Sequence, residues 1–189
     1  MAFGPDEEIG KGAASFNVKR FQVEFAYTLD NGDPGDIAFE TFNAAAATVD
    51  FHGTVVHPGE AYGLMVNAAL MASEFIQGLP ASEVPENSRD FDGYFMILSN
   101  IGNVDHAEIQ LIIRDFDTNS FEQKKKLVTG LVGKLNQKYG LNRVSLKMHD
   151  QYRSPGDLIK QHPYVVNLVL HAYKTLGLKP KVIPFRGGT

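Results

Sequence analysis

Cysteine is absent from these 189 residues. That excludes disulfides, thiolate metal ligands and a cysteine nucleophile, and leaves His and carboxylates to serve any metal site. An excess of basic charge is missing too. The 18 Lys and Arg stand against 22 Asp and Glu, a net charge of −4, so nothing calls for a nucleic-acid partner. The one basic run, Lys124-Lys125-Lys126, falls inside a predicted helix. No apolar stretch approaches the ~20 residues that span a bilayer, so no membrane segment is expected. The opening residues lack the apolar core of a signal peptide, since Asp6, Glu7 and Glu8 follow Met1 closely, and a cytoplasmic location is the expectation. The histidines show no H-x-x-x-H spacing, and no internal repeat or low-complexity tract is present. What remains is an ordinary globular composition, 43% hydrophobic and 21% charged.

The chain is organised around residues 43–79. Ala45, Ala47, Val49 and Phe51 alternate with Thr48, Asp50 and His52, which predicts a half-buried strand. The turn His57-Pro58-Gly59 follows. A helix is then expected over 64–79, with apolar positions 65, 68, 69, 72, 75, 76 and 79 on one stripe and Gly78 and Pro80 at its end. Strands are predicted at 94–98 and near 107–114, the latter with Ala107, Ile109, Leu111 and Ile113 on one face and Glu108, Gln110 and Arg114 on the other. Asn119 and Glu122 resemble a capping box for a helix that carries Phe121, Val128, Leu131, Val132, Leu135 and Tyr139 and stops at Gly140. Val144, Leu146 and Met148 mark a last strand. The order is βαββαβ, which predicts an α+β, ferredoxin-like domain over 43–150.

Two flanks of different character surround it, 1–42 and 151–189. Alternation of Phe21, Val23, Phe25, Tyr27 and Leu29 predicts a strand running into a Gly/Asp/Pro turn, and 37–42 predicts a short second one. One helix is expected from Pro155 and Asp157 to Gly177, then a short strand over 181–185.

Several residues could do chemistry. Glu7 and Glu8 are adjacent and point different ways, which suits one metal ligand beside one general base; an acidic turn favoured by a helix dipole is the plainer alternative. Asp30 ends a predicted strand, as a functional carboxylate or an Asx turn would. Arg114, on a polar strand face, can grip a carboxylate bidentately or pair with a surface acid. Arg186 and Gly187 can present a guanidinium and an amide to an anion, or belong to a tail. His57 looks out of the sheet edge rather than into the core.

Taken together, the strings Pro5-Asp6-Glu7-Glu8-Ile9-Gly10-Lys11-Gly12, Ala26-Tyr27-Thr28-Leu29-Asp30, Phe42-Asn43-Ala44-Ala45, Val56-His57-Pro58-Gly59, Met65-Val66-Asn67-Ala68, Ile112-Ile113-Arg114-Asp115-Phe116-Asp117 and Arg186-Gly187-Gly188-Thr189 resemble the dinuclear-zinc metallopeptidase family along essentially the whole chain. The last two strings favour its tripeptide aminopeptidases over its carboxypeptidase and deacylase relatives. The resemblance implies Glu7 as general base, Glu8 and Asp30 as ligands of two zinc ions, and His57 as stabiliser of the developing oxyanion, in several relatives across a dimer. It implies Arg114, Arg186 and Gly187 as contacts to the peptide substrate, and an inserted ferredoxin-like lid or dimerisation domain. The family's His-x-Asp motif, its bridging Asp and its C-terminal His are not in this sequence. Only two of five expected ligand residues are present, fewer than the three that usually hold a catalytic zinc. The expectation is therefore a portion of such an enzyme, unable to bind zinc stably and inactive alone. The alternatives are a stand-alone dimerisation or interaction module that has lost the metal site, or a related zinc dipeptidase or deacylase, since specificity depends on pocket dimensions.

Overall fold

The computed structural model describes residues 16–29 and 32–187. The chain divides into two compact units, 1–33 and 34–189, each described by itself.

In the first unit, α1 (Val18–Phe21) is a single turn capped by Asn17, whose side chain accepts from the Arg20 amide at 2.9 Å. Gln22 ends it in the left-handed region with φ of 50°. The strand predicted over 21–29 does not form. Phe21 belongs to the helix, and residues 22–29 are irregular. Alternation alone does not make a strand: its backbone groups need a ladder partner, and among the described residues no sheet ladder or bridge includes this segment.

The second unit holds β1 (Asp36–Ile37), β2 (Asn43–His52), α2 (Ala68–Gln77), β3 (Tyr94–Gly102), β4 (His106–Asp115), α3 (Thr118–Tyr139), β5 (Val144–Tyr152), α4 (Gly156–Lys160), α5 (Pro163–Thr175) and β6 (Lys181–Val182). β2 to β5 form one antiparallel sheet in the order β3-β4-β2-β5. Counting only these four, the order is 2-3-1-4, the ferredoxin-like arrangement of a βαββαβ chain. β1 and β6 make a separate parallel pair, which a bridge between Thr41 and Phe185 prolongs.

One face of the sheet is covered by α2 and α3. Ala45, Ala47, Val49 and Phe51 of β2 and Ile109, Leu111 and Ile113 of β4 bury against Met71 and Phe75 of α2 and Phe121 and Val128 of α3 in a single core. Each large apolar side chain removed from water there contributes roughly 1.5–3 kcal/mol. Among the described residues no other helix packs closely on the sheet, and the opposite face positions the candidate site.

The strand expected over 37–42 shrinks to Asp36–Ile37, and β3 runs on past Leu98 to Gly102; three further differences have a local reason. α2 starts at Ala68 rather than in the region of Leu64, because the Asn67 side chain caps it, accepting from the Ala69 and Leu70 amides at 2.9 and 3.3 Å. Val66 is drawn away into a bridge with Thr54. α3 is capped by Asp117, whose Oδ1 accepts from Ser120 N at 2.7 Å, not by Asn119. Glu122 then pairs outward with Arg153 and Lys125 instead of closing a capping box. The single helix expected after Pro155 is two, α4 and α5. Pro163 supplies no N–H and keeps its predecessor out of the helical region, and His162 sits at φ −124°, ψ 61°.

Candidate functional site

Strand geometry determines which side chains meet on the uncovered face. At the end where β2 begins, Ala44 pairs with Arg114 of β4 on one side and Tyr152 of β5 on the other, while Arg114 also pairs with Tyr94 of β3. These four form one row across the sheet. Arg114 bends over Ala44, which is fully buried, and its Nη1 donates to the carbonyls of Ile113 at 3.0 Å and Ala45 at 3.3 Å. Its guanidinium carbon lies 5.6 Å from the centre of the Tyr152 ring.

Arg186, from the far end of the chain, arrives at the same row. Its Nη1 donates to the carbonyls of Asp90 at 2.7 Å and Asp92 at 3.2 Å. Its guanidinium carbon stands 5.1 Å from the centre of the Phe42 ring and 6.0 Å from that of Tyr94. Phe42 is itself braced by Tyr94 and Phe116, with Phe91 behind. Gly187 follows, close enough to the Phe185 ring that a Cβ would come within 2.9 Å of its Cζ. Arg186 thus stacks on Tyr94, the cross-strand neighbour of Arg114, while the Arg114 guanidinium itself leans the other way, over Tyr152. Among the described residues neither guanidinium has a carboxylate partner, although Lys124, Lys125, Lys138, Arg153 and Lys160 all do. Each guanidinium rests on its own aromatic support along this row with nitrogens to spare, and either can receive an anionic group.

The row is anchored by Asn43, a polar side chain at a helix-facing position and only 1% exposed. Its Nδ2 donates to the carbonyls of Asp115 and Phe116, both at 3.2 Å, and its Oδ1 accepts from Ser154 N at 3.0 Å. Ser154 Oγ in turn accepts from Thr41 N and Gly156 N. Three passages of the chain are tied at this point.

His57 lies elsewhere. It is exposed beyond the opposite end of β2, and Ala44 and His52 are eight residues apart on that strand, about 26 Å of extended chain. Its Nδ1 accepts from Gly59 N at 3.2 Å as it caps the short turn Pro58–Glu60. A neutral ring whose Nδ1 accepts carries its proton on Nε2, and that proton points away from the turn. The structure therefore places Arg114 and Arg186 along the same row of the sheet and His57 at its opposite end.

Glu7, Glu8 and Asp30 fall outside the described residues. Among the described residues no group of three His, Cys, Asp or Glu side chains is placed to hold a metal ion. A cavity of about 350 Å³ lies between the 82–93 loop and the start of α3, lined by polar side chains that include Glu83, Asp115, Ser120 and Lys124. Lys124 bridges Glu83 and the buried Asp115 there. Burial pulls the Lys124 ammonium down, but hydrogen bonds to Glu83 and Asp115 outweigh it and hold its pKa above the usual value. Asp115 also receives Ser120 Oγ and Asp117 N, and no buried polar side chain among the described residues is left without a partner.

Sequence reasoning missed Tyr94, Tyr152, Phe42 and Asn43. Only Asn43 left a signal: it is a polar residue on the apolar side of the alternation in β2. The aromatic residues read as ordinary strand formers.

Comparison with known proteins agrees with this architecture. Residues 39–142 match the family model described as the peptidase dimerisation domain. Over all 189 residues the chain is 46% identical to proteins named Peptidase T from Fusobacterium nucleatum and from an Exiguobacterium strain. It spans about half the length of these relatives, covering 46% of each. Among solved structures, aminopeptidase PepT from Bacillus cereus superposes with a TM-score of 0.78 at 21% identity, over 98% of this chain and 50% of that one. A tripeptidase from Staphylococcus aureus superposes with a TM-score of 0.76 at 17% identity, over 97% and 49%.

Proposed function

Because the chain belongs to the peptidase dimerisation domain family, we propose that it is the lid domain and flanking portion of a zinc-dependent tripeptide aminopeptidase, working as a homodimer in the cytoplasm. The names of its relatives support the activity. The observation that carries the reading is that Arg114 and Arg186, on neighbouring aromatic residues of one row, have no carboxylate partner among the described residues. A short peptide has the complementary group, a free terminal carboxylate, and a planar guanidinium meets it through two parallel N–H bonds.

In this reading Glu7 is the base, Glu8 and Asp30 are the chain's share of the zinc ligands, and the Gly187 amide lies beside the substrate. Two ligands fall short of the three that usually hold a catalytic zinc, so the chain alone binds no stable zinc and cleaves no tripeptide. His57 donates its Nε2 proton to the oxyanion that forms at the scissile carbonyl. Its separation from Arg114 supports a dimer, since one lid does not place both on a substrate of three residues. A second support is β3, an edge strand of nine residues without a charge, Tyr94–Gly102, whereas the other edge, β5, carries Lys147, His149 and Asp150. An unprotected edge is a template for pairing with another copy. Among the described residues no helix is long and apolar enough to cross a membrane.

The test is Glu7→Gln in the intact enzyme. Activity on tripeptides should fall by roughly 10²-fold or more, the usual contribution of a general base, with metal content unchanged. Loss of zinc together with activity would reassign the ligand role to Glu7, and retained activity would end the proposal.

A further inference from the structure

We propose that Tyr152 is a positioning residue for Arg114, delivered to it by a bulge in β5; the inference rests on the reading of Arg114 as a carboxylate contact. In regular pairing every second residue of β5 would face the helices, and the ladder follows this through Val144, Leu146 and Met148. At its end the register slips. Asp150 pairs with Ala45, yet Ala44 pairs with Tyr152, so Gln151 is left without a partner. Without that extra residue, Gln151 would stand opposite Ala44 on the uncovered face and Tyr152 would turn toward the helices. The bulge exchanges the two. It puts an aromatic ring, rather than an amide, beside the guanidinium on the open face, which is how bulges re-aim side chains near functional sites.

The bulge is held from both sides. On the helix side Asp150 is bound by Lys125 at 2.7 Å and by Arg153, which also binds Glu122 at 2.6 Å. On the open side the Tyr152 ring lies 5.6 Å from the Arg114 guanidinium carbon, within the range of a cation–π contact. Both residues are half-buried, where such a contact is worth more than in water. Arg114 anchors only Nη1 to protein carbonyls. The ring restrains the rest of the planar group, so that its remaining N–H bonds are presented in a fixed direction instead of being ordered when a ligand arrives.

Two measurements separate this inference from the reading beneath it. In the 189-residue chain, the Arg114 Nε–H proton should show a ring-current shift that Tyr152→Phe retains and Tyr152→Leu loses. In the parent enzyme, Tyr152→Leu should raise KM for tripeptides with a free carboxylate about tenfold, the equivalent of one buried cation–π contact, with kcat changed less than twofold. Tyr152→Phe should restore KM, and C-terminally amidated peptides should not distinguish the three proteins. An Arg114 resonance that ignores Tyr152→Leu overturns the positioning role. So does an unchanged KM in an enzyme that is active and sensitive to Arg114→Ala. If Arg114→Ala has no effect while the ring-current shift behaves as expected, the contact stands and the carboxylate role fails.

Discussion

Replacing Asn43 by alanine should cost this fold more than any surface change, and the structure allows the amount to be worked out. The side chain is 1% exposed and makes three hydrogen bonds, two through Nδ2 to the Asp115 and Phe116 carbonyls and one through Oδ1 from Ser154 N. Each bond nets about 1 kcal/mol, and a buried group left unpaired costs about 1–3 kcal/mol. Allowing that the two carbonyls each keep a second lone pair for other partners, the sum for Asn43→Ala is about 3–4 kcal/mol. That is a large part of the ~5–15 kcal/mol that holds a domain together. At roughly 2–4 °C per kcal/mol for a chain of this size, the unfolding midpoint should fall by about 6–16 °C. Asn43→Asp should be at least as harmful, since it turns the two donors into an anionic oxygen facing two carbonyls. Urea unfolding followed by circular dichroism gives the number directly, with the slope against denaturant unchanged if only stability moves. A loss below about 1 kcal/mol in Asn43→Ala would refute the claim that this side chain ties three passages of the chain together.

Other consequences can be checked on the same protein. If β3 pairs with a second copy, Leu98→Lys with Ile101→Lys, at positions 55% and 72% exposed, should shift sedimentation from dimer to monomer while the thermal midpoint of the fold stays within a few degrees. Hydrogen bonds from Arg153 hold the Glu122 carboxyl below its ordinary 4.5, and the bonds of Lys125 and Arg153 outweigh burial to hold Asp150 below 3.8. Both groups are depressed in the folded chain, so their stabilisation is complete above pH 4.5 and is lost as the pH falls through their folded values. Glu122→Gln should flatten that acid limb of the stability profile, and an unchanged limb would discount the network. Gly93→Ala should destabilise markedly, because its Cβ would lie 2.3 Å from Asp115 Oδ2, and a thermal scan that shows no loss would contradict the packing described there.

Much of the four-stranded domain was legible because one property decided it. Val49 and Phe51 of β2, and Phe121 and Val128 of α3, bury one face of a regular element, and periodicity reports that face directly. The failures share a different cause. Residues 22–29 alternate as a strand does, but a strand exists only with a partner, which alternation does not report. Asp117 displaced Asn119 as a cap, since both can accept from an amide and only the backbone path chooses between them. Pro163 broke a helix whose apolar stripe runs through it. The bulge at Gln151 is invisible in sequence, because a single inserted residue leaves the composition of the strand unchanged. Arg114 and Arg186 were identifiable by resemblance. Their placement along one row was not, since it depends on β3, β4 and residue 186 converging in space.

The central claim is that this chain supplies the lid and part of the site of a zinc tripeptidase without being one. The direct measurement is zinc stoichiometry and tripeptide hydrolysis, made side by side on the 189-residue chain and on the parent enzyme. The account predicts less than one tightly bound zinc and no turnover for the chain, against two zinc ions and steady hydrolysis for the parent. Stoichiometric zinc with turnover in the isolated chain would contradict it.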